Sequence, residues 1–251
     1  MTKLRVTVWS EGIDPVLEPR AVTYYPDDIN VYLAEFLSVE HDFEVRTANL
    51  RQKENGLSQE ILNDTDVLVW WSHLYDDQVS DETAQRVAET VLNGMGILFL
   101  HASLGSKPAK ILLGTNSNTG KYREIGEKEK IWVVDRSHPV VDGMEKEYIE
   151  IPASEMYGEP YGIPTPDDIV FISWFEGGEV LRSGVDWKKG AGKVFFFAPG
   201  HEEFPVYYHS EIQKAVKNIV RWLKPVKGPE ITFQGEVESL EIIKNPVKKE
   251  K

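Results

Sequence analysis

The feature that most constrains the fold of this chain is the alternation of nearly continuous apolar runs with an amphipathic helical pattern. The runs Asp66–Trp71, Gly96–Leu100 and Lys193–Ala198 are almost wholly apolar, which is typical of parallel strands buried on both faces of a sheet. Between the first two runs, Ala84–Leu92 carries an apolar stripe at helical spacing. With the strand-like Leu4–Trp9 before them, these segments predict an α/β fold with a mostly parallel, doubly wound sheet.

The middle and the end of the chain depart from this pattern. From Lys121 to Ser183 the segments are short, aromatic and interrupted by prolines, which predicts antiparallel additions and long loops on the same domain. The chain becomes charged after Pro225, so we expect one domain over residues 1–224 and a C-terminal extension over 225–251. Within that extension, Ile231–Phe233 and Leu240–Ile243 predict the two strands of a hairpin.

Composition excludes several classes of function. The 251 residues include 28 basic and 41 acidic ones, a formal charge of −13, which argues against nucleic acid or anionic membrane as the main partner. No cysteine occurs, so disulfides, thiolate metal sites and a cysteine nucleophile are excluded. The N-terminus lacks the long apolar region of a signal peptide, and no apolar run approaches the roughly 18 to 20 residues of a membrane span. These features favour a cytoplasmic protein.

Three separate stretches carry the residues that could do chemistry. They are His101–Gly105, Ser154–Pro160 and Pro199–Glu203, and the first and third follow apolar strands. Ligands of open α/β sheets bind outside the carboxyl ends of the strands, so we expect the stretches to form one site. His73 closes the third predicted strand and Glu11 follows the first, which places both at the same edge.

Two catalytic interpretations arise from the residues alone. Ser103 lies where a buried strand meets a predicted helix, a position that suits a nucleophile, although a serine there also suits a simple helix cap. His201, at the end of another strand, suits a general base oriented by Glu203, although a loop histidine with a local hydrogen bond is an equal alternative. Trp174 either lines a pocket or fills the core.

A metal site is a third interpretation. His101 and His201 with Glu155 or Glu202 would give the two-histidine, one-carboxylate set of an open catalytic site for a divalent ion such as zinc or manganese. The chain has no HExxH motif, and it has no GxGxxG or Walker loop for a dinucleotide or nucleoside triphosphate.

Taken together, these motifs resemble the ThuA-like family, named for trehalose utilisation. The resemblance extends to about Lys224 and is strongest in five stretches. These are residues 101–114, 137–143, 155–160, 173–184 and 192–205. The family belongs to the class I glutamine amidotransferase-like superfamily, which implies a flavodoxin-like three-layer α/β/α sandwich.

The comparison with the superfamily motifs changes the expected chemistry. Ser103-Leu104-Gly105 takes the place of Cys-x-Gly, His101 takes the place of the glycine before it, and His201-Glu202-Glu203 replaces His-Pro-Glu. Without the cysteine thiolate, glutamine amidotransfer is excluded. The resemblance instead implies an enzyme acting on trehalose-related or keto-sugars, as a hydrolase, lyase or isomerase.

Within this hypothesis, the chemistry of the residues themselves gives each a role in the site. His201 would be the base, Glu203 its orienting group, and His101 and Glu155 would bind substrate or a metal ion. Tyr157 and Glu159 would hold substrate hydroxyls. Two alternatives stay open, a hydrolase using Ser103, His201 and Glu203, and a non-catalytic sugar-binding or regulatory protein. The aromatic middle region also predicts a homo-oligomer.

Overall fold

A nine-stranded sheet organises the residues described by the computed structural model, which are 3–116, 120–228 and 239–244. The strands are β1 Leu4–Ser10, β2 Phe43–Asn49, β3 Val67–Trp71, β4 Gly96–Leu100, β5 Lys121–Val133, β6 Tyr148–Gly158, β7 Asp168–Phe175, β8 Val180–Lys189 and β9 Gly192–Phe197. The helices are α1 Ala21–Tyr24, α2 Ile29–Ser38, α3 Gln59–Asn63, α4 Asp81–Leu92, α5 Lys107–Leu113 and α6 Ser210–Trp222. Short 3-10 helices cover Lys53–Gly56, Asp76–Gln78, His101–Gly105, Pro139–Val141 and Val206–Tyr208.

The sheet has a parallel half and an antiparallel half. Its strand order is β2-β1-β3-β4-β9-β8-β7-β5-β6. The five strands β2, β1, β3, β4 and β9 pair in parallel. Numbered among themselves along the chain, they have the 2-1-3-4-5 order found in flavodoxin-like folds. The remaining four pairings are antiparallel. The α/β prediction is therefore confirmed, but the prediction of a mostly parallel sheet is wrong, because the middle segments form full strands that continue the same sheet from β9.

Helices cover both faces of the parallel half because its strands are apolar on both sides. Val67, Val69 and Trp71 of β3 face a core that also contains residues of α2 and α6. The alternate residues Leu68 and Trp70 face a second core that contains residues of α3, α4 and α5. This double burial explains why the central strands read as continuous apolar runs.

The turn after β4 agrees with its sequence. Ser106 caps α5 by accepting a hydrogen bond from the backbone N–H of Ala109 at 3.4 Å. Gly114 ends the helix with φ of 64°, a left-handed conformation that glycine adopts at little cost. The helix therefore occupies the predicted place, directly beyond His101–Gly105.

The C-terminal hairpin stays a prediction. Ile231–Phe233 lies outside the described residues, and Leu240–Ile243 has no regular secondary structure. The division into residues 1–224 and 225–251 likewise stays a prediction. No helix in the described ranges is long and apolar enough to cross a membrane.

Candidate active site

Three histidines meet at the carboxyl edge of the parallel half, where the sequence predicted a site. His73 follows β3, His101 follows β4 and His201 lies shortly after β9. The ring centroids are 5.1 Å apart for His73 and His101, 5.0 Å for His73 and His201, and 5.2 Å for His101 and His201. We call these three residues the histidine cluster. Its inner members, His101 and His201, are each only 1 % exposed.

The sharp turn at the end of β4 is centred on His101 and not on Ser103. His101 has φ of 55°, an uncommon left-handed conformation for a residue with a side chain, whereas Ser103 has no such strain. The rings of Trp71 and His101 are stacked, with centroids 6.1 Å apart. Packing of this kind holds the strained residue in place, since backbone strain persists where the surroundings fix it.

Ser103 serves the backbone around the site. Its hydroxyl accepts a hydrogen bond from the Ser72 N–H at 2.9 Å and contacts the carbonyl oxygens of Leu100 and Trp70. The side chain is fully buried, and none of the hydrogen bonds within residues 3–116 and 120–228 joins it to His201. The predicted Ser103–His201–Glu203 arrangement is therefore not assembled.

Carboxylates surround the histidine cluster. Glu202 Oε1 lies 2.7 Å from His73 Nδ1, and Glu18 Oε1 lies 3.4 Å from the same nitrogen. Glu155 Oε2 lies 3.5 Å from His101 Nε2 and 3.8 Å from His201 Nε2. Glu124 approaches from β5, 3.6 Å from His201 Nε2. Its side chain is 40 % exposed, so the site reaches solvent on this side.

His73 is the member of the cluster whose surroundings favour the protonated ring. Burial lowers the pKa of its imidazole, but the nearby Glu18 carboxylate and the charges of Glu155 and Glu11 outweigh burial, so its pKa is raised above the ordinary value. Glu11 also fixes the loop that carries His73, because its carboxylate accepts the backbone N–H groups of Leu74 and Tyr75 at 2.5 and 2.9 Å. Burial raises the pKa of Glu11 to about 7. Through its hydrogen bonds to this loop, Glu11 positions His73 in the site.

His101 and His201 are neutral imidazoles. Burial lowers the pKa of His201 to about 3, with further lowering by the charges of His73 and Arg20. Burial lowers the pKa of His101 well below its usual value, and the charges of His73 and His201 lower it further. The Glu203 backbone N–H donates to His201 Nδ1 at 3.0 Å, so the proton of the neutral ring is assigned to Nε2. That Nε2–H faces Glu155 and Glu124.

Glu155 has the electrostatics of a general base. Burial raises the pKa of its carboxyl to about 7, against opposing effects of a Tyr157 hydrogen bond and the charge of His73. A carboxylate of this basicity is half ionised near neutral pH, which suits it to accept a proton and return it. The hydroxyl of Tyr157 lies 3.5 Å from His101 Nε2, so Tyr157 joins β6 to the cluster.

Glu203 lies at the edge of the site. Its backbone N–H contacts His201, and its carboxylate accepts the Arg20 N–H at 3.4 Å. Burial raises the pKa of the Glu124 carboxyl, and the nearby Glu203 carboxylate raises it further. Two other predicted site residues do not join the cluster. Glu159 forms an ion pair with Arg182 at 2.7 Å. Trp174 lies on β7, paired with Lys130 on one side and Val180 on the other.

The site contains buried ligand atoms that the described chain leaves without hydrogen-bond partners. These atoms are Glu18 Oε1, Glu155 Oε2, His201 Nε2 and Glu202 Oε2. In this site, two sets of residues bring their ligand atoms, one from each residue, within 4.8 Å of one another. The first set is His73, His101, His201 and Glu202, and the second is Glu124, Glu155 and His201. Nitrogen and oxygen donors of this kind suit zinc or manganese.

The state of His201 limits how it could bind a metal ion. Its Nδ1 already accepts the Glu203 N–H, and its Nε2 carries the proton of the neutral ring. Ligation through this ring would require the loss of that hydrogen bond or of the Nε2 proton. The types of donor atom therefore suit a divalent ion. His201 is the exception, because one ring nitrogen is already hydrogen-bonded and the other carries the proton.

Two acidic residues of the site were not identified from the sequence. Glu18 lies in the irregular segment between β1 and α1, and Glu124 lies near the start of β5. Neither has a motif around it. Gly126, with φ of 74°, lies in a part of β5 where the pairing with β6 changes register, so the alternation that would have placed Glu124 is also interrupted.

Comparison with known proteins gives a family match and several structures of similar fold. A family model described as ThuA, trehalose utilisation, matches residues 5–223. A ThuA-like protein from Parabacteroides merdae has a TM-score of 0.66 at 15 % identity, covering 90 % of this chain and 93 % of that one. A cytoplasmic protein from Salmonella typhimurium has a TM-score of 0.58 at 16 % identity, covering 89 % of this chain and 100 % of that one. The PurLQS structure from Thermotoga maritima has a TM-score of 0.52 at 16 % identity, with coverage of 89 % of this chain and 100 % of that one. The search of curated proteins gave no match.

Proposed function

The chain belongs to the ThuA family, described as trehalose utilisation, and from that premise we propose that it is a carbohydrate-metabolism enzyme acting on a keto-sugar. The proposed reaction is transfer of a proton at the carbon next to the substrate carbonyl. One observation carries this proposal, the position of Glu155 beside two neutral histidines, with a pKa raised by burial to about 7. A base and a neutral hydrogen-bond donor in one buried site are the groups that enolisation needs.

Glu155 is the proposed general base. Its carboxylate would take the proton from the carbon adjacent to the carbonyl, and the C–H electron pair would form a carbon–carbon double bond as the carbonyl oxygen becomes negative. The Nε2–H of His201 would donate to that oxygen, and cationic His73 would supply positive potential. Return of the proton to the former carbonyl carbon, with transfer of the α-hydroxyl proton to the enolate oxygen, would isomerise the sugar. Departure of a β-substituent with its bonding electrons, as the carbonyl re-forms and the leaving oxygen takes the proton held by Glu155, would cleave it.

These roles differ from those inferred from the sequence. His201 becomes a hydrogen-bond donor because the Glu203 N–H occupies its Nδ1. Its low pKa makes the ring a weak base, which is a poor property for proton abstraction. Glu155, predicted as a substrate or metal ligand, takes the role of base. A Ser103 hydrolase is disfavoured because the Ser103 hydroxyl is held by backbone groups.

A metal-assisted form of the same reaction is a second candidate, favoured by the unpartnered ligand atoms of Glu18, Glu155 and Glu202. His73, in its deprotonated form, His101 and Glu202 are the residues that would hold the ion, since each offers one ligand atom within 4.8 Å of the others. A bound zinc or manganese ion would supply Lewis-acid polarisation of a carbonyl. Elemental analysis of protein purified without chelator tests this form. About one zinc or manganese per chain would support it, and a substoichiometric content after growth with both metals would reject it.

Deuterium exchange into a keto-sugar tests the proton transfer directly. The protein is incubated in deuterated water with trehalose oxidised to a ketone on one ring, and with D-fructose, and exchange is followed by NMR. Trehalose itself has no carbonyl and serves as the substrate control. We expect exchange next to the carbonyl of a keto-sugar by the wild type and none with trehalose.

Variants of β6 separate the base from a general effect on that strand. Glu155→Gln should lower the exchange rate by at least about 100-fold, since it removes the base. Glu150→Gln, at an exposed position of the same strand, is the matched control and should keep the wild-type rate. Equal rates for wild type and Glu155→Gln would refute the assignment. Keto-sugar binding with no exchange, with or without added metal, would favour the non-catalytic alternative.

The remaining expectations about setting are also proposals. We propose a cytoplasmic homo-oligomer with a small sugar-related ligand and with neither nucleic acid nor membrane as a partner. The formal charge of −13 and the absence of cysteine support this setting. Exposed apolar side chains on β5, Tyr122 and Ile125, offer surface for self-association. Light scattering on the full chain tests the oligomer, and a monomer at micromolar concentration would reject it.

A further inference from the structure

A groove at the amino edge of the parallel half lies at the opposite end of β1 from the candidate active site. It has a volume of about 630 Å³ and is lined by Lys3, Leu4, Arg5, Asp66, Lys224, Pro225 and Lys227. Leu4 is the first residue of β1, whereas Glu11, beside the histidine cluster, directly follows the last. Seven residues of extended strand span about 20 Å, so the groove is separate from the candidate active site. We call it the lysine groove.

Asp66, the one carboxylate among the described residues that line the groove, is already paired. Its Oδ1 lies 2.7 Å from a terminal guanidinium nitrogen of Arg5, and its Oδ2 accepts the Arg5 Nε–H at 3.1 Å. The other terminal nitrogen of Arg5 lies 2.6 Å from Asp64, which is outside the lining. Arg5 and Asp66 therefore neutralise each other, and Asp66 is not free to balance the lysines of the groove.

The three lysines of the groove have no anionic partner in the described part of the chain. Lys3, Lys224 and Lys227 are exposed, and none of them forms an ion pair with another residue of the ranges 3–116, 120–228 and 239–244. The described lining holds four cationic residues and one carboxylate, a net charge of +3, although the chain has a formal charge of −13. Unpaired ammonium groups in one groove repel one another, and a bound anion would replace that repulsion with attraction.

We propose that the lysine groove binds a small anion that carries two or more phosphate groups. Lysine binds phosphate as a point charge, and three unpaired lysines favour an anion with several charges in a small volume. The volume of about 630 Å³ lies within the range of about 300 to 1,000 Å³ found for small-molecule sites. The negative charge of the rest of the protein repels a large polyanion such as nucleic acid, whereas a small anion meets the local positive potential of the groove.

Calorimetric titration of the full chain with pyrophosphate, in metal-free buffer, tests the lysine groove. The wild type should bind pyrophosphate more tightly than inorganic phosphate, because two phosphates meet more of the lysines. The double variant Lys224→Gln, Lys227→Gln should bind pyrophosphate about tenfold more weakly, since two ion pairs are lost. The double variant Lys53→Gln, Lys146→Gln removes two exposed lysines outside the lining and should bind as the wild type does. ADP, titrated in parallel, distinguishes a nucleotide, which would bind more tightly than pyrophosphate, from an inorganic polyphosphate.

A second variant and the salt dependence provide independent tests of the same groove. Lys3→Gln alters the lining contributed by the start of the chain and should weaken pyrophosphate binding about threefold. Raising the salt concentration from about 0.05 M to about 0.3 M should weaken binding to the wild type several-fold, because salt screens exposed charges. Equal affinities of the wild type and the Lys224→Gln, Lys227→Gln variant would overturn the proposal, as would the absence of pyrophosphate binding by the wild type.

A variant of the histidine cluster shows which end of the parallel strands holds the anion. His73→Gln should bind pyrophosphate with the affinity of the wild type, because His73 follows β3 at the opposite edge of the sheet from the groove. Loss of binding in His73→Gln, with binding retained in the Lys224→Gln, Lys227→Gln variant, would place the anion at the histidine cluster and overturn the proposal. Binding is measured without turnover, so its result is independent of the proposed proton transfer.

Discussion

Replacing the buried Glu129 by glutamine should change how the stability of the protein depends on pH. Glu129 lies on β5, is only 1 % exposed, and accepts a hydrogen bond from the Ser173 hydroxyl at 2.5 Å through Oε1. Its Oε2 has no partner within the described residues. Burial raises the pKa of this carboxyl to about 7, despite the hydrogen bond from Ser173 that favours the charged form.

The sign and the size follow from linkage between ionisation and folding. The ordinary pKa of the carboxyl is 4.5 and the folded value is about 7, so the folded state holds the proton more tightly. Stability is therefore lost as pH rises from about 4.5 to about 7, by about 3 kcal/mol in total. Glutamine keeps the shape and cannot ionise, so Glu129→Gln should not show this loss.

Urea unfolding at pH 5 and pH 8 measures the effect. The difference in unfolding free energy, Glu129→Gln minus wild type, should rise by about 3 kcal/mol between the two pH values. Comparison of this difference removes contributions from other titrating groups, such as Glu11 and Glu155. Glu44→Gln, at an exposed position of β2, should show no such rise. A difference for Glu129→Gln that is the same at both pH values would refute the argument.

Three further predictions concern the site. Ser103→Ala should keep the deuterium exchange rate while lowering the unfolding free energy by about 1 to 3 kcal/mol, because the Ser72 N–H loses its acceptor. Loss of exchange in a folded variant would restore Ser103 as a candidate nucleophile. For exchange by the wild type, kcat/KM should fall by about tenfold per pH unit below the Glu155 pKa of about 7. It should also fall at high pH, as His73 loses its proton. A pH profile of kcat/KM that is flat from pH 5 to 7 would contradict the role of Glu155. Gly200→Ala should destabilise the protein by about 3 kcal/mol and misplace His201. The reason is that Gly200 has φ of 138° and that the new Cβ would lie 2.1 Å from the Tyr207 hydroxyl. Urea unfolding and deuterium exchange like those of the wild type would show that the backbone adapts.

The sequence predicted the parallel half of the fold because that half has strong local patterns. Runs such as Gly96–Leu100 are buried on both faces, so their composition alone identifies them. The antiparallel half was underestimated because its strands alternate and contain bulges. Between Arg123 and Glu129 the pairing of β5 with β6 shifts register twice, and no local pattern shows that β8 pairs with β9. Strand pairing depends on the tertiary arrangement, which one sequence does not reveal.

The sequence indicated which histidines lie at this edge of the sheet, whereas their roles stay predictions. The ends of β3, β4 and β9 indicated where His73, His101 and His201 would meet, because ligand sites follow the carboxyl ends of strands. The left-handed backbone at His101 and the Glu203 N–H on His201 depend on three-dimensional contacts. These contacts decide which ring can donate a proton, so the role of His201 was not accessible from spacing.

The position of β9 has a consequence for how the chain folds. β9 is the last of the described strands in sequence, yet it lies between β4 and β8 and joins the two halves of the sheet. Until it is in place, the edge of β4 lacks its partner, and unpaired apolar edges favour aggregation. Pairing β4 with β9 is also a contact between distant parts of the chain, which slows folding. His201 lies four residues after the end of β9, so we expect the histidine cluster to form in the same step that closes the sheet.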